Sequence, residues 1–136
     1  MKKALRKKIV VVDDDEFIRK TFFLIFHEDY DVYLAGDGEE AFVRFNGSPV
    51  DLIITDFRLP KLNGMEMVSR FRKNGYAGEV FLITAYPGKV DRSALRRLDV
   101  GRFFAKPLDL DALTNSVNQV LRGNHWQEEG VFTIGR

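Results

Sequence analysis

Three carboxylates in a row, Asp13-Asp14-Asp15, follow the apolar run Ile9-Val10-Val11-Val12. Like charges roughly 4 Å apart repel by about 1 kcal/mol even in water, and by more near a protein interior. Something must offset that cost. A further carboxylate, Asp56, ends the run Leu52-Ile53-Ile54-Thr55. Thr84 closes Val80-Phe81-Leu82-Ile83, and Lys106 closes Phe103-Phe104-Ala105. Grouped carboxylates suit a hard divalent cation, which takes several carboxylate or carbonyl oxygens and keeps some waters. A carboxylate can also act as a nucleophilic oxygen. Metal binding and carboxylate chemistry are therefore within reach of these residue types.

They act together only if the backbone brings the ends of their runs to one place. Short apolar runs alternate with helix-period segments. Strands are predicted at 8–12, 31–35, 50–55, 80–84 and 103–105. Helices are predicted at 16–27, after the capping-box pattern Asp37…Glu40, at 65–73, at 89–98, and from Asp109 to a C-cap at Gly123. Their expected inward faces are Ile18, Phe22, Ile25 and Phe26, then Ala41, Phe42 and Phe45, then Met65, Val68 and Phe71. The fourth helix should bury Val90, Ala94, Leu95 and Leu98, and the fifth Leu110, Leu113, Val117, Val120 and Leu121. Five strands alternating with five helices predict an α/β fold, a single doubly wound (βα)5 domain with helices on both faces of a parallel five-stranded sheet. Crossovers should be right-handed.

In open sheets of this kind, ligands bind beyond the carboxyl ends of the strands, at the switch in strand order. In the order 2-1-3-4-5, the strands that end in Asp13-Asp14, Asp56, Thr84 and Lys106 are neighbours. The second strand, ending in Ala35-Gly36, is at the edge. Three carboxylates, a hydroxyl and an ammonium then converge on one rim, and a bound metal would relieve the repulsion. Asp15 stands where the first helix begins, so it is read as an N-cap rather than a ligand.

The chain has 136 residues, 45% apolar and 30% charged, with a formal net charge of +1. These are values of a globular protein with no bulk field toward nucleic acid or a membrane. With no cysteine there are no disulfides or thiolate metal sites. No apolar run approaches the roughly 20 residues of a membrane span. The leader, residues 1–8, has five basic residues and is read as a solvated cap on the first strand. The expected location is the cytoplasm. The domain is expected over 1–123, with 124–136 a C-terminal tail or the start of a linker. His27 and His125 are read as lone surface or linker groups.

The segments "VVDDDEFIR", "DLIITDFRLPKLNG", "LITAY" and "FFAKP", in this order, resemble the receiver domain of two-component response regulators, of the chemotaxis-regulator-like superfamily. The likeness covers about residues 8–122. It implies that Asp56 accepts a phosphoryl group from a sensor histidine kinase or a phosphotransfer protein. It implies that Mg²⁺ is held by Asp13, Asp14, Asp56 and the backbone carbonyl of Arg58. Thr84 and Lys106 would bind the phosphoryl oxygens, and Thr84 and Phe103 would form the switch. Phosphoryl transfer asks little covalent work of a protein beyond a nucleophile, in-line placement and charge neutralisation, which agrees with these roles. The expected protein is a phosphoacceptor signalling domain, not an enzyme beyond its own phosphorylation and dephosphorylation. The output surface would be the fourth helix, fifth strand and fifth helix. Its residues Lys89, Arg92, Arg96, Arg97 and Arg102 call for an acidic partner, or for Asp109 and Asp111 of a second copy in a phosphorylation-dependent homodimer.

A competing reading takes Asp13-x-Asp15 as the motif of haloacid-dehalogenase-like Mg²⁺-dependent phosphatases, with Asp13 the nucleophile and Asp15 the acid. Phe17 stands where that family expects Thr or Val, and Asp56 with Lys106-Pro107 is left unexplained. Within the receiver likeness, Leu59 replaces a common Met, Asn63 a common Asp, and Asp99-Val100 a common Gly-Ala. Glycine would end the fourth helix at positive φ without steric cost, so this helix end is expected to differ. Arg58 and Tyr86, each two residues beyond a site residue, should flank the phosphoryl group and gate the hydrolytic water.

Overall fold

The computed structural model describes residues 5–123. The strands are β1 (Lys8–Val12), β2 (Asp31–Ala35), β3 (Leu52–Asp56), β4 (Glu79–Thr84) and β5 (Arg102–Ala105). The helices are α1 (Glu16–Phe26), α2 (Gly38–Phe45), α3 (Gly64–Lys73), α4 (Arg92–Arg97) and α5 (Leu110–Arg122). The chain divides into two compact units at Lys106 and Pro107. The first holds the whole sheet and α1 to α4; the second holds α5.

The sheet is five-stranded and parallel throughout, in the order β2-β1-β3-β4-β5. Side chains alternate across it. Val10, Val12, Ile53 and Val80 lie in one core cluster with Ala41 and Phe45 of α2 and Met67, Val68 and Phe71 of α3. Leu82 extends that face to Val90 and Leu95. Their sequence neighbours Ile9, Val11, Ile54 and Phe81 point the other way and are equally buried. There α1 packs on β1 and β2. Burial on both faces is what makes these strands continuous apolar runs.

α1 buries Phe22 and Phe26, a T-shaped pair with centroids 6.1 Å apart. Ile18 is half-buried, but Ile25, expected inward, lies on the flank of this stripe at 36% exposure. In α3 the fully buried methionine is Met67, while Met65 is half-buried. The helix opens with a capping box between Asn63 and Glu66. The fourth helical segment is shorter than predicted. A 3-10 turn at Pro87–Lys89 is followed by Val90 in extended conformation, and α4 begins only after Asp91. The Asp91 carboxylate accepts from both the N–H and the hydroxyl of Ser93, which starts the helix there. Its end keeps the geometry that glycine favours: Asp99 has φ +58°, and Val100 N–H reaches back to the Leu95 carbonyl. The expectation of a different helix end is thus corrected.

The described part of the leader is not simply solvated. Arg6 donates to the carbonyls of His27 and Tyr30 and pairs with Asp31, and the Lys8 N–H bonds the Asp51 carboxylate. In the second unit, Asp109 caps α5 through the Ala112 N–H, and Gly123 ends it at φ +75°. Leu113, Val117 and Leu121 are buried there together with Ser116, whereas Leu110, on the first turn, is 38% exposed and Val120 is half-buried. The expected tail, 124–136, lies outside the described residues. Among the described residues no helix is long and apolar enough to cross a membrane.

Candidate functional site: an acidic cluster on the carboxyl rim

Asp13 follows the last residue of β1, Asp56 and Thr84 end β3 and β4, and Lys106 follows β5. Strand pairing places these ends side by side, with Asp56 in register with Ile83 and Thr84 with Ala105. Lys106 Nζ stands 3.3 Å from Asp13 Oδ2 and 3.3 Å from Asp56 Oδ2. Its own N–H bonds the Thr84 carbonyl at 2.7 Å, so β4 fixes where the lysine departs. Asp13 is fully buried, Asp56 nearly so, and Asp14 exposed. One oxygen from each of these three carboxylates lies within 4.8 Å of the others. That donor set fits a hard, oxygen-seeking divalent cation.

Asp15 divides from the other aspartates as its position predicts. Its Oδ1 accepts from the Phe17 N–H at 2.9 Å and caps α1. It is not among the three carboxylates grouped closely enough to hold a cation.

Burial raises the carboxyl pKa of Asp13, although the Asp15 N–H and Lys106 pull the other way. Burial also raises that of Asp56, and the Asp13 charge adds to the rise. For Lys106 burial alone would favour the neutral amine, but the attraction of Asp13 and Asp56 outweighs it and leaves the pKa raised. We therefore take the lysine as a firm ammonium between two carboxylates whose ionisation is costly. One ammonium can offset the charge of only one of the two carboxylates.

Thr84 is fully buried, and its Oγ1 accepts from the Tyr86 N–H at 2.8 Å. The Arg58 guanidinium lies over the Tyr86 ring, 4.4 Å from its centroid, so the residues expected to flank the site touch each other. Phe103 is half-buried against the Leu82, Val90 and Leu95 cluster, with Arg92 5.2 Å over its ring. Lys89, Arg92, Arg96, Arg97 and Arg102 are all exposed.

Two contributors were not read from the sequence. Gly64, the last residue of "DFRLPKLNG", starts α3 directly against β3. A Cβ there would stand 2.2 Å from the Asp56 carbonyl oxygen, a distance no side chain tolerates. The second is Arg19, whose Nη1 donates to the Asp13 carbonyl at 2.7 Å. No local signal marks it, because its partner is a backbone carbonyl in the bend after β1, which helix periodicity does not report.

The family description "Response regulator receiver domain" matches residues 9–118. Among curated proteins, the transcriptional regulatory protein PmrA of Pectobacterium parmentieri is 34% identical over 120 residues, covering 86% of this chain and 53% of PmrA. The chain spans about half the length of the curated relatives it matches. Among solved structures, the receiver domain of Francisella response regulator 1452 superposes with a TM-score of 0.75 at 26% identity, over 85% of this chain and 97% of that one. A CheY-like receiver domain protein of Methanospirillum hungatei shares the fold, with a TM-score of 0.81 at 22% identity over 93% and 100% of the two chains. Nothing in these likenesses supports the phosphatase-like reading of Asp13 and Asp15.

Proposed function

Since the chain belongs to the response regulator receiver domain family, a signalling rather than a metabolic module, we propose that Asp56 is its phosphoacceptor. The observation that carries this reading is the single ammonium of Lys106 3.3 Å from both the Asp13 and the Asp56 carboxylates. A carboxylate so placed can be a nucleophile without being neutralised by protonation, because the lysine keeps its charge.

An Asp56 carboxylate oxygen attacks the phosphorus of a phosphohistidine on a sensor kinase or phosphotransfer protein. A P–O bond forms, the P–N bond breaks, and the imidazole leaves with a proton from solvent. Asp13, Asp14, Asp56 and the Arg58 carbonyl would hold Mg²⁺, which supplies positive charge for the phosphoryl oxygens. Lys106 supplies a second positive charge. Thr84 can donate its hydroxyl proton to a phosphoryl oxygen while its oxygen keeps the Tyr86 N–H. Hydrolysis reverses the state: water attacks phosphorus, the P–O bond to Asp56 breaks, inorganic phosphate leaves and the Asp56 carboxylate is restored, at a rate set by how Arg58 and Tyr86 cover the group.

Phosphorylation adds about −1.5 to −2 charge. Motion of Thr84 toward it opens space beside β5 for Phe103. The face bearing Lys89, Arg92, Arg96, Arg97 and Arg102 then changes its fit to an acidic partner or to a second copy. In this reading residues 1–123 are the receiver module, acting in the cytoplasm.

The direct test is incubation with Mg²⁺ and acetyl phosphate. One phosphoryl group should be added, labile to base and hydroxylamine as acyl phosphates are, and Asp56→Asn should abolish it. Equal labelling of Asp56→Asn would overturn the assignment.

A further inference from the structure

Asp13 has a partner for every polar atom it carries. Its N–H bonds the Ala35 carbonyl at 3.1 Å, and its Oδ1 accepts from the Asp15 N–H at 2.9 Å. Its Oδ2 faces Lys106 at 3.3 Å. Its carbonyl accepts from Arg19 Nη1 at 2.7 Å. The last bond comes from α1, across the bend by which the chain leaves β1.

Two of these bonds bracket Asp14. The peptide before it is held through the Asp13 carbonyl, by Arg19. The peptide after it is held through the Asp15 N–H, by Asp13 Oδ1. Since peptides are planar, fixing both flanking planes fixes both soft backbone dihedrals of Asp14, and with them the direction of its Cα–Cβ bond, from which the carboxylate swings only about its own side-chain bonds. Asp14 itself is exposed and not oriented by packing.

Arg19 is built for this place. It is half-buried, whereas its neighbour Lys20 is exposed and pairs with Glu16 at 3.1 Å. A Cβ on Gly36 would lie 3.6 Å from Arg19 Nη1 and 3.7 Å from Glu40 Oε1, so the guanidinium sits where the turns after β1 and β2 meet. Glu40 Oε1 in turn accepts from the Gly36 N–H at 2.9 Å.

We propose that Arg19 is a positioning residue for the cation site: by holding the Asp13 carbonyl it sets the backbone geometry, and so the Cα–Cβ direction, from which Asp14 offers its carboxylate. The inference rests on Asp13, Asp14 and Asp56 being the Mg²⁺ site. Groups that orient ligands from behind typically change metal affinity by about 10- to 100-fold when removed.

The test is calorimetric titration of the whole chain with Mg²⁺ alone, for the parent, Arg19→Ala, Arg19→Lys and, as a control on the same helix, Lys20→Ala. Arg19→Ala should bind Mg²⁺ about tenfold more weakly or worse, Arg19→Lys should fall between it and the parent, and Lys20→Ala should match the parent. With acetyl phosphate, the half-saturating Mg²⁺ concentration of Arg19→Ala should rise by the same factor while the rate at saturating Mg²⁺ stays near the parent's. A merely structural role would lower the melting temperature and leave Mg²⁺ affinity alone. Parent-like affinity in Arg19→Ala overturns the inference. If that variant does not fold by circular dichroism, parent-like affinity in Arg19→Lys overturns it instead. A parent that binds no Mg²⁺ overturns the metal reading as well, which separates the two failures.

Discussion

Arg72 Nη2 donates to the carbonyl of Asp99 at 3.0 Å, and the same guanidinium bonds the carbonyls of Leu98, Tyr76 and Gly78 at 2.8–3.0 Å. One side chain of α3 thus collects the carbonyls that α4 leaves unpaired at its end, together with those of the loop before β4. It holds Asp99 at φ +58°. A non-glycine residue there costs roughly 1 kcal/mol. Asp99→Gly is expected to stabilise the protein by about 0.5 kcal/mol after its greater unfolded-state entropy is counted. Arg72→Ala strands several half-buried carbonyls and should cost about 2–3 kcal/mol. Urea unfolding of both variants checks the pair. Destabilisation by Asp99→Gly would show that the aspartate side chain matters more than its backbone.

The three adjacent aspartates should separate by their surroundings. Asp15→Ala removes the cap of α1 and should cost about 1 kcal/mol, with Mg²⁺ affinity little changed. Asp14→Ala should lose Mg²⁺ affinity with almost no change in metal-free stability, since Asp14 is exposed. Asp13→Ala should do both, because its oxygens serve the Asp15 N–H and Lys106. Paired unfolding and Mg²⁺ titrations decide this. Equal metal loss in Asp15→Ala and Asp14→Ala would refute the division.

Stability without metal should depend on pH through Asp56. Its folded pKa lies above the ordinary carboxylate value, chiefly because it is buried. The folded state then holds the proton more tightly than the unfolded one. Ionisation therefore costs stability as pH rises from the unfolded value near 3.9 through the raised folded value. Asp56→Asn lacks that cost. Its stability advantage over the parent in EDTA should be small near pH 4 and grow toward pH 7, and Mg²⁺ should shrink it. An advantage flat across this range would contradict the account.

Thr84→Ala should remain phosphorylatable, because Asp56 and Lys106 are untouched. It should transmit less, because the hydroxyl that accepts from the Tyr86 N–H, and that would donate to the phosphoryl group, is gone. With Mg²⁺ and beryllofluoride, the parent should shift toward association or partner binding and the variant should shift less. Sedimentation of both, with amide exchange on α4 and β5, reads the difference. An unchanged parent on both measures would rule out this route.

The sequence by itself determined the layered plan and the identity of the rim. Short runs rich in β-branched residues, such as Ile9–Val12 and Leu52–Thr55, read as strands buried on both faces, and their end residues are local facts. Asp13, Asp14, Asp56, Thr84 and Lys106 were legible for that reason, as was the Asp15 cap, which involves only its own next two residues. What the tertiary structure decided are relations across long stretches of chain. Lys106 meets Asp13 only because β5 and β1 flank β3 and β4 in one sheet. Arg72 meets Asp99 across 27 positions and makes a left-handed aspartate tolerable where a glycine was expected. Gly64 is required by the closeness of the Asp56 carbonyl, and Arg19 by the open side of the Asp13 carbonyl, and neither distance has a local signature. Periodicity reports which way a residue faces; it carries no information on which polar atom of another segment will stand opposite, because that is set by packing of the assembled layers.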